Sequence, residues 1–95
     1  MSYQSGSLWN DQNEIRCLII LKRLQAESFP YGRQSELARE MARVTGLTAR
    51  TIISKVGNYK SAAGLIGKSH DSRATEQTYL RYKDYSIVEL EALVS

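Results

Sequence analysis

The sequence predicts an all-α domain of four to five helices. Apolar residues recur three and four positions apart, as in Ile15, Leu18 and Ile19 and again in Ile52, Val56 and Tyr59, which puts them on one face of a helix. These stretches are separated by helix breakers: Pro30 with Gly32, then Gly46, then the segment from Gly64 to Gly67. No stretch alternates apolar and polar residues as a half-buried strand would. A chain of 95 residues, 42% hydrophobic and 24% charged, suits one small globular domain with a modest core and little to spare.

Residues 1–8 read as a flexible leader, and 9–95 as the single domain. Trp9 is expected to anchor the start of the first helix in the core. Asn10 or Asp11 can cap that helix, and the acids of its first turn, including Glu14, suit the positive end of the helix dipole. The helix is expected over about 11–27. Its stripe of Ile15, Leu18, Ile19, Leu21 and Leu24, widened by Cys17 and Ile20, is broad enough to contact more than one other helix. Cys17 is the single cysteine, so neither an internal disulfide nor a cysteine-based metal site can form, and burial as a small hydrophobe is expected. Phe29 and Tyr31 are expected to pack over the corner made by Pro30 and Gly32. A second helix follows over about 34–45, with Leu37, Ala38, Met41, Ala42 and Val44 on its apolar side.

Gly46 can supply the positive φ of a tight turn, and Thr48 can cap a third helix through its hydroxyl. Ile52, Val56 and Tyr59 of that helix would face the core. A glycine-bearing loop with an apolar plug, Leu65 and Ile66, comes next. Thr75 is expected to cap a short fourth helix packed through Tyr79, Leu80 and Tyr82. Ser86-Ile-Val-Glu89 has the form of a capping box and opens a fifth helix, whose Leu90, Leu93 and Val94 can pack back.

Charge is unevenly placed. The net charge is +3; residues 33–60 carry +4, and the last twelve residues carry −3. The positive stretch coincides with the pattern Ala42-x-x-x-Gly46-Leu47-Thr48-x-x-Thr51-Ile52, which matches helix-turn-helix proteins: a small residue for close crossing, a glycine turn, a cap and a buried anchor. In that motif the second helix enters the major groove of DNA. Arg50, Thr51, Ser54, Lys55 and Asn58 are therefore candidates to enter or border a groove, and Arg39, Arg43 and Lys60 to hold phosphates. Asn58 can equally end the helix, and Lys55 can equally be an ordinary exposed lysine.

A second pattern is more specific. Trp9-Asn-Asp-Gln-Asn-Glu14, then Leu47-Thr48 through Lys55-Val-Gly57-Asn58-Tyr59-Lys-Ser61, then Gly64-Leu65, then Thr78-Tyr79-x-x-Tyr82 occur in this order. Over about 9–93 this resembles the N-terminal helical region found ahead of HNH-type domains in predicted restriction endonucleases. The resemblance is most specific at Lys55–Ser61. It implies a helical recognition module in which Lys55 and Asn58 lie on a DNA-facing or fold-defining surface. The nuclease part has no counterpart, because an HNH site needs at least two histidines and His70 is the single one.

Other chemistry is not supported. His70-Asp71-Ser72 lacks the order and separation of a catalytic triad, and no Gly-x-Ser-x-Gly is present. Gly57, Gly64 and Gly67 do not make a phosphate-binding loop. Tyr79, Tyr82 and Tyr85 suit packing better than base stacking. Neither a basic n-region with an apolar core nor a membrane-length apolar run is visible, so a cytoplasmic location is expected. The expectation is thus a non-enzymatic DNA-binding module without catalytic residues, metal or cofactor, either part of a restriction system or a small regulator. Its partner would be double-stranded DNA, with a second copy or another protein as further partners, and neither a membrane nor a small-molecule substrate. The rival expectation is a protein-interaction module, such as a small phage or plasmid inhibitor of a defence enzyme.

Overall fold

A computed structural model describes residues 8–67 and 73–94. The leader, apart from Leu8, and the His70-Asp71-Ser72 loop lie outside the described residues. Five helices follow in order: α1 (Asp11–Ala26), α2 (Arg33–Thr45), α3 (Ala49–Ala62), α4 (Arg73–Tyr82) and α5 (Ile87–Val94). Among the described residues there is no strand.

Helix α1 is the hub and packs against each of the other four. Its breadth of apolar residues explains this, since Ile15, Cys17, Leu18, Ile19, Ile20, Leu21 and Leu24 are all buried. Asn10, not Asp11, is the cap: its Oδ1 accepts from the Asn13 amide at 2.8 Å. Asn13 in turn donates its side-chain amide to the Leu8 carbonyl at 2.8 Å, which fixes the entering chain and Trp9 with it. Cys17 is fully buried, and burial pushes its thiol well above the usual range, so it stays a protonated small hydrophobe.

The α2–α3 connection forms as its residues dictate. Gly46 takes φ 81 and donates its amide to the Ala42 carbonyl at 3.0 Å, closing α2. Thr48 is extended and caps α3 by accepting from the Thr51 amide at 3.2 Å. A Cβ at Gly46 would meet Leu8 Cδ1 at 3.8 Å, an ordinary contact. Gly46→Ala should therefore cost about 1–2 kcal/mol through the backbone alone, the penalty of a left-handed conformation. Urea unfolding followed by circular dichroism measures it, and an unchanged midpoint would contradict this account of the turn.

α3 buries Ile52, Val56 and Tyr59 completely. α5 is held by fully buried Leu90 and by the expected capping box, with the Glu89 amide on Ser86 Oγ at 3.1 Å and the Ser86 amide on Glu89 Oε1 at 2.9 Å. The Ser86 amide, and after it the Ser86 hydroxyl, hold the Glu89 carboxyl below its usual range. Arg16 donates to the Val94 carbonyl at 3.1 Å, and Arg23 pairs with Glu91, so α5 is also latched to α1 by charge.

Several expected packing residues are elsewhere. The chain turns left-handed at Ser28 and Phe29, and Phe29 faces out with its ring 5.7 Å from the Lys60 ammonium. Tyr31 is fully exposed. Leu65 and Ile66 are exposed and plug nothing. Val44 is 71% exposed, on the rim of an open groove between α1, α2 and α5. Leu80 is exposed because α4 buries Ala74, Thr75 and Thr78, and a residue two positions after Thr78 points the other way. Leu93 is exposed beside buried Leu90. Thr75 is not a cap: α4 begins at Arg73, and the Thr75 side chain is buried inside the helix packing.

Candidate functional site

On an α-helix, positions 50, 51, 54, 55 and 58 fall on one stripe. In α3 that stripe and Trp9 line an open groove of about 340 Å³. Five of the eight candidate residues, Arg50, Thr51, Ser54, Lys55 and Asn58, are thereby brought together. Arg50, Thr51 and Ser54 are exposed, whereas Lys55 and Asn58 are half-buried. Thr51 Oγ1 lies 2.8 Å from Thr48 Oγ1, so the capping turn also orients a groove residue.

The other three candidates are not in this groove. Arg39 and Arg43 lie one turn apart on α2, both exposed. Lys60 donates to Gln34 Oε1 at 2.5 Å and covers the Phe29 ring, which ties it to the α2 entrance.

Lys55 differs from its neighbours on the stripe. Its ammonium lies 3.2 Å from Glu14 Oε2, 3.2 Å from Thr75 Oγ1 and 4.7 Å from the centre of the Trp9 ring. The Glu14 side chain is fully buried. Its Oε1 accepts from the Tyr59 hydroxyl at 2.7 Å and from the Thr75 hydroxyl at 3.3 Å. Among the described residues, its Oε2 receives no hydrogen bond of good geometry, and it relies on the Lys55 charge. A carboxylate in a protein interior costs several kcal/mol, of order 3–5 when its partner is removed, so this arrangement requires all its members. Burial, and then the Glu14 charge, push the Tyr59 hydroxyl far above its usual range and keep it a neutral donor.

The floor of the groove is therefore a polar cluster that ties α1, α3 and α4 together. It joins Trp9 and Glu14, from the start of the domain, to Lys55 and Tyr59 of α3. Sequence reasoning assigned Glu14 to the helix dipole, Thr75 to a cap and Tyr59 to the apolar core, and so missed the cluster. One signal was available. Glu14 stands four before Leu18 and seven before Leu21, on the buried stripe of α1, where a charge requires a partner.

Above that floor the groove offers donors: the Arg50 guanidinium, the Thr51 and Ser54 hydroxyls and the Asn58 amide. Among the described residues, no three His, Cys, Asp or Glu side chains come together as a metal site, and no helix is long and apolar enough to cross a membrane. Comparison of the chain with protein-family models, with curated proteins and with solved structures finds no match.

Proposed function

We propose that this protein is a non-enzymatic, helix-turn-helix-like DNA-binding module, serving as the recognition part of a restriction or nuclease system or as a small regulator. The observation that carries the reading is the exposed polar stripe of α3. It follows a left-handed glycine turn and a threonine cap, and it gathers Arg50, Thr51, Ser54 and Asn58 along one groove. The basic balance of residues 33–60 supports the same reading.

The geometry narrows which cations meet phosphate. Lys55 and Lys60 are engaged inside the protein, whereas Arg39, Arg43 and Arg50 are exposed on α2 and α3. Three phosphate neutralisations give a slope of log affinity against log salt of about −3 on B-DNA. Fluorescence anisotropy of a labelled duplex, titrated at several salt concentrations, should return that slope. Binding indifferent to salt would contradict the proposal.

A second reading, a protein-interaction module, rests on a different observation. Val44, Leu80 and Val88 are 71%, 67% and 75% exposed, and the groove beside Val44 is floored by Ile19, Ile20 and Met41. Recovery of one stoichiometric protein partner, with no DNA affinity, would favour it.

A further inference from the structure

Resting on the DNA-binding reading, we infer that the groove between Trp9 and α3 is a seat for one phosphodiester unit of the nucleic-acid backbone and does not read base edges. Its shape is the first reason. A helix that reads bases must protrude into the major groove, a trough about 12 Å wide. Here the polar stripe of α3 instead forms one wall of a concavity whose other wall is Trp9. A concavity receives a ridge, and the ridges of a duplex are its sugar–phosphate strands.

The chemistry of the lining is the second reason. Phosphate oxygens only accept hydrogen bonds, whereas base edges present donors and acceptors in mixed order. Arg50 can only donate, and Thr51, Ser54 and Asn58 each bring a donor, while the Lys55 ammonium is turned to Glu14. Among the described residues, no acidic side chain lines the groove. Glu14 lies beneath it, fully buried and paired with Lys55, which leaves the Arg50 guanidinium as the exposed charge among the lining residues.

Trp9 is the single tryptophan of the chain and lines the groove, so its emission reports on the seat directly. The probes are an abasic deoxyribose-phosphate oligomer and base-bearing duplexes of unrelated sequence. The expected result is a saturable change in Trp9 emission with the abasic oligomer as well as with each duplex. Arg50→Ala should weaken all of them about tenfold, as loss of a charged hydrogen bond does. It should also reduce the magnitude of the salt slope by about 1. Arg50 is exposed at the start of α3, so this variant should keep the parent fold, which circular dichroism checks.

Two outcomes overturn the inference while leaving the DNA-binding reading intact. One is a Trp9 response confined to base-bearing DNA. The other is an Arg50→Ala loss confined to one duplex sequence with an unchanged slope, which marks a base contact. A response to the abasic oligomer with none to any duplex upholds the phosphodiester seat and defeats the duplex-binding reading. Silence towards every probe defeats both.

Discussion

Replacing Glu14 with alanine should lower stability by about 3–5 kcal/mol, the cost of breaking a buried ion pair from one side. The substitution removes the acceptor of the Tyr59 and Thr75 hydroxyls and strands the Lys55 ammonium, whose side chain is 13% exposed, over the Trp9 ring. In a domain of this size the melting midpoint should fall by at least about 12 °C. Lys55→Met leaves the carboxylate without its charge partner and should also destabilise strongly. The double variant Glu14→Leu with Lys55→Met should lie far closer to the parent than the losses of Glu14→Leu and Lys55→Met sum to, because apolar replacement of a buried pair is often neutral. Urea unfolding of the parent, Glu14→Leu, Lys55→Met and the double variant gives this cycle, with Glu14→Ala measured beside it. A Glu14→Ala loss within about 0.5 kcal/mol, as for a surface site, would mean that the buried cluster does not hold the helices together.

Leu90→Ala should cost about 2–5 kcal/mol, the range for truncating a buried leucine. α5 has eight residues and buries one of them fully, Leu90. Its other ties include the packing of half-buried Ile87 and Val94 on the core, the Arg23–Glu91 pair and the bond from Arg16 to the Val94 carbonyl. The pair is 37% and 45% exposed on its two sides, so solvent screens it, and it contributes at most about 1 kcal/mol. Loss of Leu90 should therefore release α5 before the remaining core melts. Hydrogen exchange should show the amides of α5 deprotected while those of α3 keep their protection. Equal loss of protection in both helices would show instead that α5 is an integral part of one cooperative unit.

The helices were legible in the sequence because their signals are local. Asn10, Gly46, Thr48 and the Ser86–Glu89 box each act within four residues of themselves, and each is found in its expected role. The apolar stripe of α1 announced a hub. What the sequence did not disclose depends on residues far apart in the chain. Glu14, Lys55, Tyr59 and Thr75 are spread over three helices, and the reason each is polar appears only when all four meet. Phe29 and Tyr31 were misassigned because hydrophobicity alone favours burial, while the left-handed turn at Ser28 and Phe29 directs them outward.

The candidate site was legible to the same extent. The stripe of Arg50, Thr51, Ser54, Lys55 and Asn58 follows from helical period, and those five residues do line one groove. Their separate orientations do not follow from period. Lys55 turns inward because a fully buried carboxylate lies within reach, and Lys60 because Gln34 and the Phe29 ring do. Lys55 and Tyr59 together set the seat of α3 on α1 and α4. Of the contacts proposed for DNA, those on α3 face the opening, led by Arg50, whereas Arg39 and Arg43 lie on α2.

α3 is thus divided between an outward face, proposed to contact DNA, and an inward strut held by Glu14. The most direct test is salt-dependent duplex binding by the parent, by Arg50→Ala and by the Glu14→Leu, Lys55→Met double variant. The account predicts that Arg50→Ala loses affinity and about one unit of salt slope, whereas the double variant, which removes one positive and one negative charge from the interior, keeps both. A double variant that remains folded but loses as much slope as Arg50→Ala would contradict it, because Lys55 would then be a phosphate contact.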